Sequence, residues 1–492
     1  MNPLKKLASQ TAIYGLPTIV GRLLNYFLTP FYTYNLFSEK EFGDVTTAYA
    51  YVSFLLVFLT YGMETTLFNF SQNKDKKDEV YSTVLVSLLI SSFIFLLVVN
   101  NFTIEISNAL TFSGHPEYVV WFSIILAADA ISAIPFAQLR LKNNAKRYAV
   151  IRSINIALNI GFNLFFLFFL KNAYESEQSV LKPIAEELYD PTIGIGYIFI
   201  SNLIASVAML LMLLPDMLSI KLRVSIKLWG EMLVYSIPLL IAGLAGMINE
   251  TLDRALIPHL IPGDEGKAAN GIYGACYKVA MLMTIFIQAY RYAAEPFFFN
   301  NAKNSDSRKN IAEVMKYFVI ICSVIFLGTM VNMAWIQYFI GPDFREGLKV
   351  VPILLIANIF FGIFVSQSIW YKLSGKTMYG AVLTIFGALI TLALNAYLVP
   401  NYGYIGAAWT TLTCYVSMTI LSYILGNKHY PVNYDLKRIL GYLSISISLF
   451  IVSSFIEVDS SIVELILKNL VLLFFGFIVW TFEFRTLLNN KE

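Results

Sequence analysis

Few polar residues of this 492-residue chain could do chemistry, and most of them lie inside long apolar runs. Tyr14, Thr18, Arg22, Asn25 and Thr29 follow one another at steps of three or four. In a helix that spacing puts them on one face. Thr46, Ser53, Thr60 and Glu64 make a second stripe, and Arg152, Asn155, Asn159 and Asn163 a third. Tyr277, Thr284, Gln288, Arg291 and Glu295 make a fourth, and Thr384, Thr391 and Asn395 a fifth. A guanidinium presents a planar fork of donors to phosphate or carboxylate, and amides and phenols both donate and accept hydrogen bonds. Arg22, Asn25, Arg152, Asn155, Asn159, Lys278, Gln288 and Arg291 are therefore the candidate binding residues for an anionic, hydroxyl-rich ligand. Asp129 is the carboxylate near the centre of an apolar run. It could carry a proton, pair with Arg22, or sit neutral in a hydrogen bond near Pro135. Asp129 and Glu64 are the candidates for coupling to an ion.

Each assignment has a plainer alternative. Asn, Ser and Thr commonly join packed membrane helices by hydrogen bonds. Arg140, Arg152 and Arg291 sit near span ends, where topology alone accounts for a basic residue. Lys278 lies on the other side of its helix from Arg291 and could snorkel outward. Glu464 and Lys468, one turn apart, read as a surface ion pair, and Asp253 with Arg254 as a rim contact. Arg22 is different: mid-depth is too far for comfortable snorkelling, and the rest of its face is polar. Cys276, Cys322 and Cys414 are far apart, and His115, His259 and His429 are isolated. That spacing fits no metal site, so no metal, cofactor or catalytic set is expected.

The elements that must position these residues follow from composition. The chain is 57% hydrophobic and only 14% charged, against about 25% charged residues in soluble domains. A soluble enzyme, a nucleic-acid binder and a disordered scaffold are excluded as main readings. A helix needs about 20 apolar residues to cross the hydrocarbon, and such runs recur throughout. They predict fourteen spans: 12–34, 44–70, 81–103, 117–140, 148–170, 194–214, 231–252, 270–294, 311–334, 347–371, 378–399, 403–425, 437–456 and 463–484. The first carries Pro17 and Arg22 and lacks a small-residue cleavage site, which reads as a membrane helix and not a signal peptide. With the N-terminus in the cytoplasm, the inside segments flanking these spans hold 19 Lys and Arg and the outside loops 6. By the positive-inside rule, both termini are cytoplasmic.

The chain also resembles itself at an offset of about 220 residues. YGLP at Tyr14 is matched by YSIP at Tyr235, INIALN at Ile154 by ITLALN at Ile390, and PTIGIGY at Pro191 by PNYGYIG at Pro400. Both copies begin inside, so the repeat is parallel, an arrangement that transporters use for two lobes around a midplane site. The expected fold is all-α and integral to the membrane. It has an N-lobe over 1–214, a C-lobe over 215–425 related to it by pseudo-two-fold symmetry, and two further helices over 426–492.

Several phrases resemble a known family: NYGYIGAAWTTL from Asn401, GIYGACYK from Gly271, Glu295-Pro-Phe, and LRLKNNAKRY from Leu139. With the six, six and two layout, they resemble the polysaccharide-transporter (Wzx-type) flippases of the multidrug/oligosaccharidyl-lipid/polysaccharide (MOP) exporter superfamily, over nearly the whole chain. The resemblance implies a MATE-like fold in the inner membrane. It implies transport of undecaprenyl-pyrophosphate-linked oligosaccharide by alternating access, with H+ or Na+ as candidate coupling ions and a monomer as the working unit. A lipid II flippase would share the fourteen helices and the cationic cavity. A multidrug extruder would more often carry twelve helices and carboxylates in place of Arg22. A polymerase or ligase acting on the same lipid usually needs catalytic residues on a sizeable outer loop, and the loop over 171–193 offers carboxylates but no Arg or His.

Overall fold

The computed structural model describes residues 19–21, 23–34, 36–72, 77–110, 112, 114–219, 223–302 and 306–484. Among them there are helices and turns and no strand. Among the described residues, twelve helices are long and apolar enough to cross a membrane. The start of the expected first span, with Tyr14, Thr18 and Arg22, lies outside the described residues.

In chain order, α1 covers 23–34. It is followed by α2 (Glu39–Thr60), α3 (Met63–Phe70), α4 (Lys77–Asn101), α5 (Thr103–Ala109), α6 (Pro116–Leu141), α7 (Ala145–Leu164), α8 (Lys182–Leu188), α9 (Gly196–Leu218) and α10 (Ile226–Leu260). Next come α11 (Gly263–Asn300), α12 (Ser307–Val331), α13 (Val351–Gln367), α14 (Met378–His429), α15 (Leu436–Ser454) and α16 (Ser461–Val479). Local sequence explains the boundaries. Ser38 and Glu41 form a capping box at the start of α2: the Glu41 amide donates to Ser38 Oγ at 3.3 Å, and the Ser38 amide donates to Glu41 Oε2 at 2.9 Å. The expected span 44–70 is broken where Tyr61 and Gly62 take left-handed φ of 30° and 73°, which separates α2 from α3. At 52 residues α14 is about 78 Å of helix, more than twice the hydrocarbon thickness of about 30 Å. It breaks at Gly403, with φ 59° and ψ −146°, between the expected spans 378–399 and 403–425. Only glycine takes such a conformation readily. The expected outer loop contains α8, and Asp190 caps the short turn at Pro191–Ile193. Hydrogen bonds from Thr192 hold the Asp190 carboxyl below the ordinary carboxylate range.

The chain divides into two compact units, one of residues 1–32 and 36–271, the other of 33–35 and 272–492. The boundary falls within α11. In the first unit α6 is central. Two-thirds of its apolar window is buried, against 17% for α7 and α10, so α6 packs on protein where the other two face mostly outward. Met63, Leu67, Tyr81, Val84, Leu88, Ile134 and Met232 form a core of that unit. In the second unit α13 packs on α14, and α12 on α15 and α16. Trp370, Leu383, Tyr415 and Met418 form a core there. Lys468 and Glu464 pair on α16, as their spacing predicts.

Candidate functional site

The polar stripe of α7 meets polar groups from four other helices of the first unit. Arg152, Asn159 and Asn163 follow one another along one side of α7. Asn163 Oδ1 accepts from the Tyr32 hydroxyl of α1 at 2.8 Å, and its Nδ2 donates to Asn159 Oδ1 at 2.9 Å. Asn159 Nδ2 donates to Asn202 Oδ1 of α9 at 3.2 Å. Asn202 Nδ2 lies 3.4 Å from the Tyr49 hydroxyl of α2. Tyr49 is within electrostatic reach of Asp129 on α6. The Asp129 carboxyl faces Ser206 of α9 and lies within electrostatic reach of Arg152. Among the described residues Asp129 Oδ1 is buried without a hydrogen-bond partner. Arg152 is held by soft contacts: its guanidinium lies 5.1 Å over the Phe136 ring and Nη1 is 3.6 Å from Met209 Sδ.

This arrangement has a physical meaning. Asn163 is 1% exposed, so its amide must find partners inside the protein, and the chain of amides and phenols supplies them. A carboxyl with one oxygen unmet is costly inside a bilayer protein. A guanidinium nearby, itself held by a ring and a thioether and not by a carboxylate contact, can be offered to a further anion. The network thus joins hydrogen-bonding amides and phenols to a buried carboxyl and a guanidinium within one unit.

The structure brings Asp129, Arg152 and Asn159 into this one network. Asn155 is half-buried on the same helix and Asn25 is exposed on α1. Glu64 stands apart, ion-paired with Arg140, whose guanidinium lies 5.1 Å over Phe68. In the second unit Lys278 and Gln288 are half-buried on α11. Arg291 lies 3.3 Å from Glu295 one turn on, and Glu295 also pairs with Lys372. Sequence reasoning missed Tyr32, Tyr49, Asn202 and Ser206. Asn202 and Ser206 carry a signal, since they lie one turn apart on one face of α9. The two tyrosines, among 30 in the chain, carry none.

It also missed an ionic cluster in the second unit. Glu483, 2% exposed, pairs with Lys316 of α12 and accepts from Arg438 Nη1 at 3.2 Å and the Tyr442 hydroxyl at 2.8 Å, both of α15. Removing one partner of a buried pair leaves the other charge uncompensated, at a cost on the order of 3 kcal/mol. Glu483→Ala is expected to lower the thermal midpoint of the purified protein accordingly, and Glu483→Gln to lower it less. An unchanged midpoint for the alanine variant would show that the cluster contributes nothing.

A further contact in the first unit is packed backbone to backbone. A Cβ on Gly271 would stand 1.8 Å from the Glu39 carbonyl oxygen, and one on Gly43 1.9 Å from that of Lys267. Small residues permit such an approach. Around it, fully buried Asn270 donates to Thr47 Oγ1 and to the Arg254 carbonyl, each at 2.8 Å. Lys267 pairs with Asp44 at 3.1 Å and Lys40 with Asp264 at 2.6 Å.

A family model described as "Polysaccharide biosynthesis protein" matches residues 7–302. No curated protein matches the chain. Among solved structures, a lipid II flippase, MurJ, in an inward closed conformation is similar with a TM-score of 0.73 at 15% identity, covering 95% of this chain and 98% of that one. An inward-facing multidrug resistance MATE family transporter of the MOP superfamily is similar with a TM-score of 0.62 at 14% identity, covering 85% and 94%. The MATE multidrug transporter DinF-BH gives 0.60 at 17% identity, covering 88% and 97%. The fold is therefore that of the MOP exporters, and the chain is a multi-pass membrane protein.

Proposed function

We propose that this chain, which belongs to the polysaccharide biosynthesis protein family, carries an undecaprenyl-pyrophosphate-linked oligosaccharide across the inner membrane by alternating access. The observation that carries the proposal is the polar network around Asn159 inside a membrane-spanning unit. It offers amides and phenols for sugar hydroxyls. Arg152 of α7 and Arg22 of the polar face expected on the first span would supply guanidinium forks for the pyrophosphate. The internal repeat supports two lobes, over 1–214 and 215–425, that rock about the site. Asn25, Asn155, Lys278, Gln288 and Arg291 are the further substrate contacts in this reading. Asp129 is the coupling group and Glu64 a second one. The chain acts as a carrier and not as an enzyme.

Arg22 provides the test. Arg22→Ala is expected to abolish export in cells while protein level and membrane insertion stay normal. Arg22→Lys should rescue only in part, because lysine lacks the bidentate fork. Wild-type export by the alanine variant would remove Arg22 from the site.

The orientation has its own check. Basic residues concentrate in the segments assigned to the cytoplasm, so an externally added thiol reagent should label a single cysteine at Glu186 and spare one at Asn144. Strong external labelling at Asn144 would overturn the topology and the repeat together.

A second reading is favoured by one observation. The likeness to a lipid II flippase extends over nearly both whole chains, and lipid II carries the same pyrophosphate. In that reading the same residues bind a peptidoglycan precursor.

A further inference from the structure

Away from the Asp129 network, the second unit contains a cavity of about 590 Å³. The first turns of α12 line it with Arg308, Lys309, Glu313 and Lys316, and the link between α14 and α15 adds Asn433 and Asp435. Its charges do not balance. Lys316 is matched by Glu483, and Asp435 by Arg438 at 3.4 Å. Among the described lining residues Arg308 and Lys309 then stand against Glu313, which leaves one positive charge in the lining itself. Asp306, the N-cap of α12 beside the lining, carries an opposing carboxylate and makes no capping bond, so the positive character of the site rests on the adjacent Arg308 and Lys309. Arg308 is fixed at the rim, its guanidinium 4.8 Å over the Tyr430 ring.

The position of the cavity narrows the ligand. It lies where α12 and α15, two helices long and apolar enough to cross a membrane, both begin. Leu436 and Leu440, on the first two turns of α15 directly after Asp435 of the lining, are 39% and 51% exposed, which leaves apolar surface near the cavity for hydrocarbon chains. Basic pockets between membrane helices are suited to lipid phosphates. We infer that the cavity binds a phosphate-bearing monoanion, supplied by the phosphodiester headgroup of an anionic membrane lipid. Arg308 and Lys309 contact the phosphate, Asn433 the headgroup hydroxyls, and Leu436 and Leu440 the chains. This site is independent of the transport reading.

Thermal unfolding of the purified full-length protein in detergent tests it, with three additions compared: dioleoyl-phosphatidylglycerol, dioleoyl-phosphatidylcholine and inorganic phosphate. Phosphatidylglycerol is expected to raise the midpoint by several degrees, and the other two to leave it nearly unchanged. The double variant Arg308→Gln, Lys309→Gln should lose at least half of that rise. Both residues are exposed, so the variant keeps the core intact. Lys142→Gln, an exposed lysine of the first unit, should keep the full rise. Native mass spectrometry should show one retained phosphatidylglycerol on the wild type and none on the double variant. Equal stabilisation by inorganic phosphate, lost in the double variant, would uphold the anion site and overturn the lipid as its source. Equal stabilisation by phosphatidylcholine, or an undiminished response in the double variant, would overturn the site.

Discussion

Asp129→Asn is expected to lower transport about tenfold or more, the equivalent of about 1.4 kcal/mol of coupling, and to abolish its response to a proton gradient. The substitution keeps the volume and the capacity to hydrogen-bond, but it cannot titrate. Asp129 sits on the most buried span of the first unit, with Ser206 at one side, Arg152 within electrostatic reach and one carboxylate oxygen unmet among the described residues. A substrate pyrophosphate drawn to Arg152 would weaken the pull of that guanidinium on the carboxylate and favour its protonated form. Substrate and proton occupancy are then linked through one contact, and linkage is reciprocal. The alternative is structural: Pro135 lies within α6 and frees a backbone carbonyl, which a protonated Asp129 could satisfy. Transport by the asparagine variant, measured in vesicles with and without an imposed pH gradient, separates the two. Near-normal transport that still follows the gradient would assign Asp129 to structure and leave the membrane potential, acting on the cationic site, as the driving force.

Gly271→Leu is expected to have the largest effect on stability. Its Cβ would fall 1.8 Å from the Glu39 carbonyl oxygen, a backbone atom that cannot turn aside as a side-chain tip can. Overpacking costs about 1–3 kcal/mol even where side chains yield. Here α2 and the start of α11 must separate, and the hydrogen bonds of buried Asn270 and the Lys267–Asp44 pair go with them. The thermal midpoint should fall by the equivalent of about 3 kcal/mol or more, and export should be lost. Gly230→Ala is the control, because nothing lies within 4 Å of its Cβ position, and alanine favours the helix. It should be neutral or slightly stabilising. A Gly271→Leu midpoint equal to that of the control would mean that the contact does not form in the membrane.

What the sequence disclosed depends on the range of the interaction. The apolar runs marked the spans because a membrane helix satisfies its own backbone, and residues close in sequence decide its existence. The same locality made Glu464–Lys468 readable, one turn apart. The stripe Arg152–Asn159–Asn163 was readable as a face, but not its neighbours. Asn202 lies 43 residues from Asn159, and Tyr32 lies 131 from Asn163. Which faces meet is set by how α6, α7 and α9 pack, and hydropathy carries no trace of that. Glu483 is the extreme case. It stands at the very end of the last expected span, 463–484, where a charge looks like ordinary interfacial polarity, yet it is buried against Lys316, 167 residues away. The α2–α11 contact was hidden for a different reason. Gly43 and Gly271 are two of 27 glycines, and close backbone approach leaves no mark on residue type beyond smallness.

Substrate translocation in proteoliposomes tests the central claim most directly. The purified full-length protein is reconstituted, a labelled undecaprenyl-pyrophosphate-linked oligosaccharide is placed in one leaflet, and its arrival in the other is followed by an impermeant sugar-oxidising or lectin reagent. Parallel vesicles contain labelled lipid II or a cationic dye. The account predicts translocation of the oligosaccharide lipid that depends on the protein, is accelerated by a proton gradient, and is lost in Arg22→Ala and Asp129→Asn. Movement of lipid II or the dye with no movement of the oligosaccharide lipid would contradict it.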